Sequence, residues 1–372
     1  MTDANVLMLL NRNMADALHD HRVLKEIQAL AEVGYIVTLL IFGKDEQHFQ
    51  YSKTVKFIQM KINHPGGLLG RWQRVNQVKR FIKNKSFRLI HCHDFQMLET
   101  AVWARLYRNS KLIYDSHEYF AGSMALYDKK PITREILIWC EKLYVRKIHT
   151  GITVGDMIAR RMEDELKISK VEVVRNSTEW DISQSSDDLL PSPNGQDPVI
   201  LVYQGIITLG RGISVLIEIM RQLPTRYKLT LLGSITPEVK EAFGDFGDRV
   251  ELKGMLSLAD LQVELQKSHI GVYPIQDSCL SYRLCLPNKL FEAIACRLPV
   301  VFSDFPEIRS IVTRYKIGAL VKADDPTAFA QTIIDAVEHV RLKQWRANSP
   351  KAFVDNNWSV DSKVLVDIYH RI

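Results

Sequence analysis

Apolar residues along the chain fall into short continuous runs, separated by stretches in which they recur every three or four positions. Val6-Leu-Met-Leu-Leu10 is one such run, the pattern of a strand buried on both faces of a parallel sheet. Between Ala15 and Val33 the apolar positions Val23, Ile27, Leu30 and Ala31 keep helical spacing, and Gly34 stands where a helix C-cap belongs. The next strand is expected over 35–41. The alternation continues with strands at 55–60, 88–91, 111–115, 151–154 and 171–174, and with helices at 72–84, 98–107, 134–148 and 155–166. Strands alternating with helices of this length predict a doubly wound parallel α/β sheet.

From Asp181 to Pro198 the chain turns polar, rich in turn formers and without periodicity, which marks a linker. Beyond it the pattern restarts, with strands at 199–203, 228–232, 250–253, 270–273 and 300–302. Helices are expected at 213–222, 258–267, 289–296, 325–340 and 359–372. The organisation is thus an α/β domain over 1–180, a linker over 181–198, a second α/β domain over 199–355 and a terminal segment over 356–372. Ligands of open α/β sheets bind beyond the carboxyl ends of the strands, so two such domains can contribute to one cleft.

Composition narrows the class. With 372 residues, 46% hydrophobic and 25% charged, the chain is an ordinary two-domain globular protein and not a disordered, collagen-like or disulfide-scaffold one. No apolar run approaches the ~20 residues that cross a bilayer, and the opening Met1-Thr-Asp-Ala-Asn shows no secretory leader. Five cysteines, odd in number and without a CxxC pair, point to thiols in a reducing cytoplasm. The formal charge of +6 is unevenly spread: residues 1–180 carry 28 Lys and Arg against 20 Asp and Glu, so the whole excess lies in the first half. That half is expected to meet an anionic partner, whether a membrane surface, a nucleic acid or a phosphorylated substrate.

Part of this charge is concentrated in 71–88, where Arg71, Arg74, Lys79, Arg80, Lys83, Lys85 and Arg88 occur without an acidic residue. Trp72, Val75, Val78, Phe81 and Ile82 add an apolar stripe. A surface helix resting on anionic lipid has this composition, as does a solvated helix packed on its own sheet. Gly66-Gly67-Leu68-Leu69-Gly70, just before it, reads as a mobile loop. Nucleic acid is disfavoured, because no helix-turn-helix, RNA-binding signature or aromatic platform accompanies the charge.

The most informative stretch runs from Leu286 to Arg309. Pro287 stiffens the loop and Asn288 is a good N-cap residue, so a helix starts near Lys289. Its N-terminus offers unpaired N–H groups and a positive dipole end, which suit a diphosphate, and Lys289 adds a formal charge there. Glu292, three residues on, is placed to accept hydrogen bonds from two ribose hydroxyls; a solvent-facing Glu on an amphipathic helix is the alternative. In the first half, Tyr114-Asp-Ser-His-Glu118 closes a strand at its carboxyl end, where such sheets place functional side chains. His91-Cys-His-Asp94 also ends a strand. Its two histidines share a face, but no third ligand is in sight, so His93 and Asp94 are read as lining an acceptor cleft and not a metal. Arg22 opens the first helix and either meets an acceptor phosphate or pairs with Asp20.

The segment Leu286-Pro-Asn-Lys-Leu-Phe-Glu292, followed by Pro299-Val-Val-Phe-Ser-Asp-Phe-Pro-Glu307, resembles the C-terminal signature of the GT-B glycosyltransferases, specifically the retaining glycosyltransferase family 4 (group 1). Leu201-Val-Tyr-Gln-Gly-Ile-Ile-Thr-Leu-Gly-Arg-Gly212 looks like the loop opening that family's second domain. Ile152-Thr-Val-Gly-Asp156 with Val173-Val-Arg-Asn-Ser177, and Asp20-His-Arg-Val23 with Leu30-Ala-Glu-Val-Gly34, are similar to its other motifs. The likeness covers nearly the whole length.

The resemblance implies a GT-B fold, two Rossmann-like doubly wound domains facing across a cleft, with the last helix crossing back onto the first domain. It also implies transfer of a hexosyl group from a nucleotide-diphosphate sugar to a hydroxyl acceptor with retention, commonly a glycan or lipid-linked acceptor in cell-envelope or exopolysaccharide synthesis. His117 takes the place of the family histidine at the donor sugar, with Glu118 the adjacent carboxylate. The implied donor set is Gly205, Arg211, Asn288, Lys289, Leu290 and Glu292, with Arg211 replacing the family's loop lysine at the diphosphate. Two positions depart from the pattern: Leu284 stands where the first Glu of the EX7E motif belongs, and Ile206 where an Arg follows the glycine. No D-x-D triplet occurs, so no metal or other cofactor is expected and cations of the chain take the metal's place, with the departing phosphate itself drawing the acceptor proton. The alternatives are a non-catalytic GT-B protein that binds a nucleotide sugar or glycan, and a GT-B sugar-nucleotide epimerase. An epimerase would need a dense acid/base set around the sugar that the chain does not display. A phosphorylase would need a much longer chain. The setting implied is cytoplasmic, at the inner face of the membrane.

Overall fold

The computed structural model describes residues 4–184, 193–208 and 212–372. Arg211, assigned above to the donor diphosphate, and much of the linker over 181–198 lie outside the described residues. The chain folds as two compact units. One comprises the chain up to Arg175 together with Asp361–Ile372, and the other is Asn176–Val360.

The sheet of the first unit is built from β1 (Asn5–Leu9), β2 (Ile36–Gly43), β3 (Gln47–Gln50), β4 (Val55–Lys61), β5 (Leu89–His93), β6 (Lys111–Ser116), β7 (Thr150–Thr153) and β8 (Val171–Val173). Their spatial order is β3-β4-β2-β1-β5-β6-β7-β8. All neighbours run parallel except β3, an exposed strand that pairs antiparallel with β4. The order reverses between β1 and β5, so the carboxyl end of β5 lies at a topological switch point, where such sheets hold ligands. Register sets the polar residues there: Cys92 pairs with Tyr114 and His93 with Asp115 across β5 and β6.

The second unit carries β9 (Val199–Gln204), β10 (Tyr227–Leu232), β11 (Val250–Gly254), β12 (Ile270–Tyr273), β13 (Val300–Ser303) and β14 (Gly318–Val321), all parallel, in the order β11-β10-β9-β12-β13-β14. In chain order this is the 3-2-1-4-5-6 arrangement of dinucleotide-binding sheets, with its switch point between β9 and β12. The core is the continuous apolar set of these strands and their helices, with Tyr203, Leu231, Val272, Phe291, Phe302 and Phe329 among its fully buried members.

Three local expectations are corrected. The helix expected over 15–33 is two helices, Met14–Ala17 and His21–Glu32, because Asn13 and Asp20 each accept a backbone N–H and cap a separate start. The supposed loop at 66–70 begins the helix Gly67–Ile82 instead. Gly70 permits it, since a Cβ there would lie 2.2 Å from the carbonyl oxygen of His64. Asn288 is the first helical residue of Asn288–Ala295 and not its cap; that position belongs to Pro287. Among the described residues no helix is long and apolar enough to cross a membrane, and no disulfide joins the cysteines.

Candidate active site

In the second unit the strand ends at the switch point surround a cavity of about 550 Å³. Its floor is backbone. Gly205 follows β9 at φ +114° and Gly233 follows β10 at φ +143°; a Cβ on Gly233 would sit 1.9 Å from the Gly205 carbonyl oxygen. Only glycine allows the two loops to approach so closely. The Gly205 N–H donates to Leu232 O and the Gly233 N–H to Gly254 O, which locks the loops onto one another. Leu232, Met255, Leu256 and Leu261 form an apolar wall, and Pro287, Asn288, Lys289 and Glu292 form the opposite rim.

Lys289 is held with its ammonium 3.8 Å from the Tyr203 ring centroid and 5.8 Å from that of Tyr273. Two aromatic faces thus steady a cation beside the helix N-terminus. Glu292 is fixed by Gln204, whose Nε2 donates to Glu292 Oε2 at 3.0 Å. Tyr273 Oη in turn donates to Gln204 Oε1 at 2.6 Å, which sets the amide's orientation. Leu290 is corrected: its side chain is fully buried in the core and its N–H is spent on Pro287 O, so it offers nothing to a ligand. Ile206, standing where the family has Arg, is half-exposed and lines the cavity with hydrocarbon. Leu284 is buried and does not line it.

In the first unit the residues at the ends of β5 and β6 form a buried polar network. Asp115, wholly buried, receives both of its oxygens' contacts at 3.0 Å from Arg22 Nη2, while Arg22 Nη1 donates to Val174 O at 2.9 Å. Arg22 Nε lies 3.1 Å from Glu26 Oε1. His91 and His93 stack with ring centroids 4.4 Å apart, and His91 Nδ1 is bonded to Tyr369 Oη at 2.6 Å. His93 Nδ1 meets His117 Nε2 at 3.2 Å, and that same nitrogen lies 3.3 Å from Asp115 Oδ2. Asp94 holds His117 from the other side: its Oδ1 accepts the His117 N–H at 3.0 Å and its Oδ2 lies 3.5 Å from Nδ1.

Two expectations change here. Arg22, 4% exposed, is turned inward and away from Asp20, which pairs with Arg12; it is the internal counter-ion of Asp115 and lies against the Glu26 carboxyl. His93, at 0% exposure, lies beneath His117 and not on a binding surface, and Asp94 spends its carboxylate on His117. The histidines also have the further ligands that the sequence hides, since Glu26, His91, His93 and Asp115 bring one ligand atom each within 4.8 Å of one another. The guanidinium among them already supplies the charge a cation would bring, so the cluster reads as an ion-pair network.

Electrostatics follow from this packing. Burial disfavours the His117 imidazolium, but Asp94 and Asp115 outweigh it and carry the ring up to about 9. Burial likewise works against the Asp115 carboxylate, yet Arg22 and His117 hold it well below the usual carboxylate range. Burial pushes Glu26 up to about 8 against the pull of Arg22, and burial with the neighbouring His91 pushes His93 down to about 4. At neutral pH His117, with 19% of its side chain exposed, is therefore a hydrogen-bond donor carrying positive charge. Glu118 is exposed, and its carbonyl accepts Ser116 Oγ at 2.7 Å.

Sequence reasoning missed Gln204, Tyr273, Asp115, Glu26 and Tyr369. Gln204 left a trace as a polar residue ending an otherwise apolar strand, and Asp115 stood inside the Tyr114–Glu118 segment without a role of its own.

Residues 20–177 match the glycosyl transferase 4-like domain and residues 198–339 match the glycosyl transferases group 1 family. The chain is 23% identical over 321 residues to a phosphatidyl-myo-inositol mannosyltransferase of Mycobacterium leprae, covering 80% of this chain and 77% of that protein. Its fold is similar to that of sucrose-phosphate synthase from Thermosynechococcus elongatus, with a TM-score of 0.77 at 18% identity over 99% and 98% of the two chains. It is also similar to the Anabaena protein HepE in complex with UDP and glucose, with a TM-score of 0.75 at 13% identity over 99% and 100%. The chain belongs to glycosyltransferase family 4, the group 1 glycosyl transferases, and is a glycosyltransferase of GT-B type.

Proposed function

We propose that the protein is a retaining, metal-independent hexosyltransferase that uses a nucleoside-diphosphate sugar and serves glycan or lipid-linked assembly from the cytoplasm. The observation that carries this is the cavity of the second unit: a glycine floor, a cation steadied at a helix N-terminus and a carboxylate set by a two-step hydrogen-bond chain. Glu292 receives the ribose hydroxyls, the helix N-terminus and Lys289 receive the diphosphate, and the apolar wall receives the base. The reaction breaks the bond between the anomeric carbon and the diphosphate oxygen and forms one from the same carbon to the acceptor oxygen. The acceptor proton passes to the departing diphosphate. Charge developing on that leaving group is met by Lys289 and the helix dipole, which replace a metal. His117, charged at neutral pH, acts as a donor that positions a sugar or acceptor hydroxyl and not as a base. HepE is described with UDP and glucose, which supports a donor of that chemical class here.

Calorimetry with UDP, GDP and ADP tests the reading. One of them should bind, and Glu292→Ala should weaken it by about 1–3 kcal/mol; no uptake of any nucleotide or its sugar would overturn the proposal. Ile206 favours one second reading, a binder without turnover, because it puts hydrocarbon where the family puts a cation. Slow release of the diphosphate from the matching donor, unaffected by EDTA, would decide for catalysis.

A further inference from the structure

Among the described residues, seven that are not glycine have a φ in the left-handed region. Asn109, Lys167, Arg297, Lys316 and Val340 follow helices, where this conformation is ordinary, and Asp324 lies in a turn. Asp94, at φ +60°, does neither: it opens a helix. Strand β5 ends at His93 and the helix Asp94–Arg108 begins at the next residue, so the chain passes from strand to helix without a loop. A left-handed residue at so sharp a corner crowds its Cβ against the following carbonyl, which Asp and Asn bear better than other side chains. Some hydrolases stand their serine nucleophile on a strained strand-to-helix turn, which lifts one side chain above the end of the sheet.

At Asp94 the side chain so placed is a carboxylate, and both of its oxygens go to His117. Oδ1 accepts the His117 backbone N–H at 3.0 Å, and Oδ2 lies 3.5 Å from Nδ1 of the ring. The neighbouring residues repeat the clamp. Phe95 stacks on Phe120 with ring centroids 4.0 Å apart, and the Cys92 thiol donates to the Asp94 carbonyl at 3.6 Å. The opposite edge of the imidazole is committed inward, since Nε2 meets His93 Nδ1 at 3.2 Å and Asp115 Oδ2 at 3.3 Å, both on wholly buried residues. The Asp94 side chain is 31% exposed, so the nitrogen it reaches, Nδ1, is the one on the solvent side.

We propose that Asp94 is a positioning residue: its strained corner holds the carboxylate against both the backbone and the ring of His117, and thereby aims the Nδ1–H at a ligand hydroxyl. The role rests on the reading of His117 as a hydroxyl donor. A carboxylate this short reaches an N–H and a ring together only from one Cα position, and the left-handed corner supplies it. Strain kept for such a purpose is typical of functional sites.

Two substitutions in the full chain separate aim from charge. Asp94→Glu keeps the charge but is one methylene too long to hold both groups from the same corner. By NMR of histidine-labelled protein, its His117 ring resonances should move while the titration midpoint stays at about 9. Diphosphate release from the donor should fall about 10- to 100-fold in kcat, with KM for the donor unchanged. Asp94→Asn keeps the corner, and an amide oxygen for the N–H, but removes the charge. The groups then facing His117 are Asp115, Arg22 and His93. Its midpoint should fall by about one to three pH units with no loss of melting temperature. A merely structural aspartate would cost stability in both variants and leave the His117 signals in place. The proposal is overturned if Asp94→Glu leaves the ring resonances or kcat as in the unaltered protein, or if Asp94→Asn leaves the midpoint unmoved. Absence of turnover in the unaltered protein counts against the proposed function alone, and the ring resonances and the midpoint then decide the role of Asp94.

Discussion

The polar network under His117 and the cavity beside Lys289 both lie at the switch point of a parallel sheet, but they treat charge in opposite ways. In the first unit Arg22, Glu26 and Asp115 are sealed in and answer one another, so the field acting on His117 is set by the protein alone. In the second, Lys289 leans on aromatic faces and Glu292 on an amide, and both border an open cavity. A buried network fixes protonation and geometry in advance; a rim that borders a cavity can be reached from solvent. Under the proposed function, the first of these two α/β sheets serves positioning and the second binding.

Breaking the network should cost stability, and breaking the rim should cost affinity. The largest effect is expected from Asp115→Asn, which leaves the Arg22 guanidinium buried opposite a neutral amide and should lose about 3–5 kcal/mol in urea unfolding. A loss within experimental error would mean that the network is solvated and the contrast false. Next comes Lys289→Met, which should leave unfolding nearly unchanged while weakening nucleotide binding by about 1.5–3 kcal/mol, measured by calorimetry. Tyr369→Phe removes one neutral hydrogen bond from His91 and should cost about 0.5–1.5 kcal/mol of stability with nucleotide affinity intact.

The smallest effect is a trend with pH. Because His117 is raised from its ordinary value to about 9, the stability it confers is present in full below about 6.5 and is lost as pH climbs through 9. The difference in melting temperature between the unaltered protein and His117→Gln should therefore shrink over that interval; a gap that widened would reverse the assigned charge.

Much of this was legible in the residue pattern. Apolar runs and helical spacing locate the parallel strands because burial on both faces leaves no room for polar residues, and the Pro287–Glu292 segment announces a helix start next to a cation and a carboxylate. Arg22, by contrast, looks like a surface residue beside Asp20. Its real partners, Asp115 and Val174, are 93 and 152 positions away and enter only when the sheet is assembled. His91 pairs with Tyr369 across 278 positions. The Asp115 side chain stood inside a segment singled out for His117, yet nothing local distinguishes a carboxylate that meets substrate from one that meets a buried guanidinium. That helix Pro131–Tyr144 leaves Ile132, Ile136 and Trp139 exposed was hidden for the complementary reason: periodicity shows that a helix has an apolar side, not which way that side turns.

The bond between Tyr369 and His91 has a consequence for how the chain is made. Translation delivers the sheet of the first unit, at about 5–20 residues per second, well before the helix that supplies Tyr369, because all of Asn176–Val360 comes between them. That sheet therefore spends the synthesis of the entire intervening unit with the His91 ring lacking its phenol. A chain arrested before Asp361 should hold that sheet in a looser, protease-sensitive form.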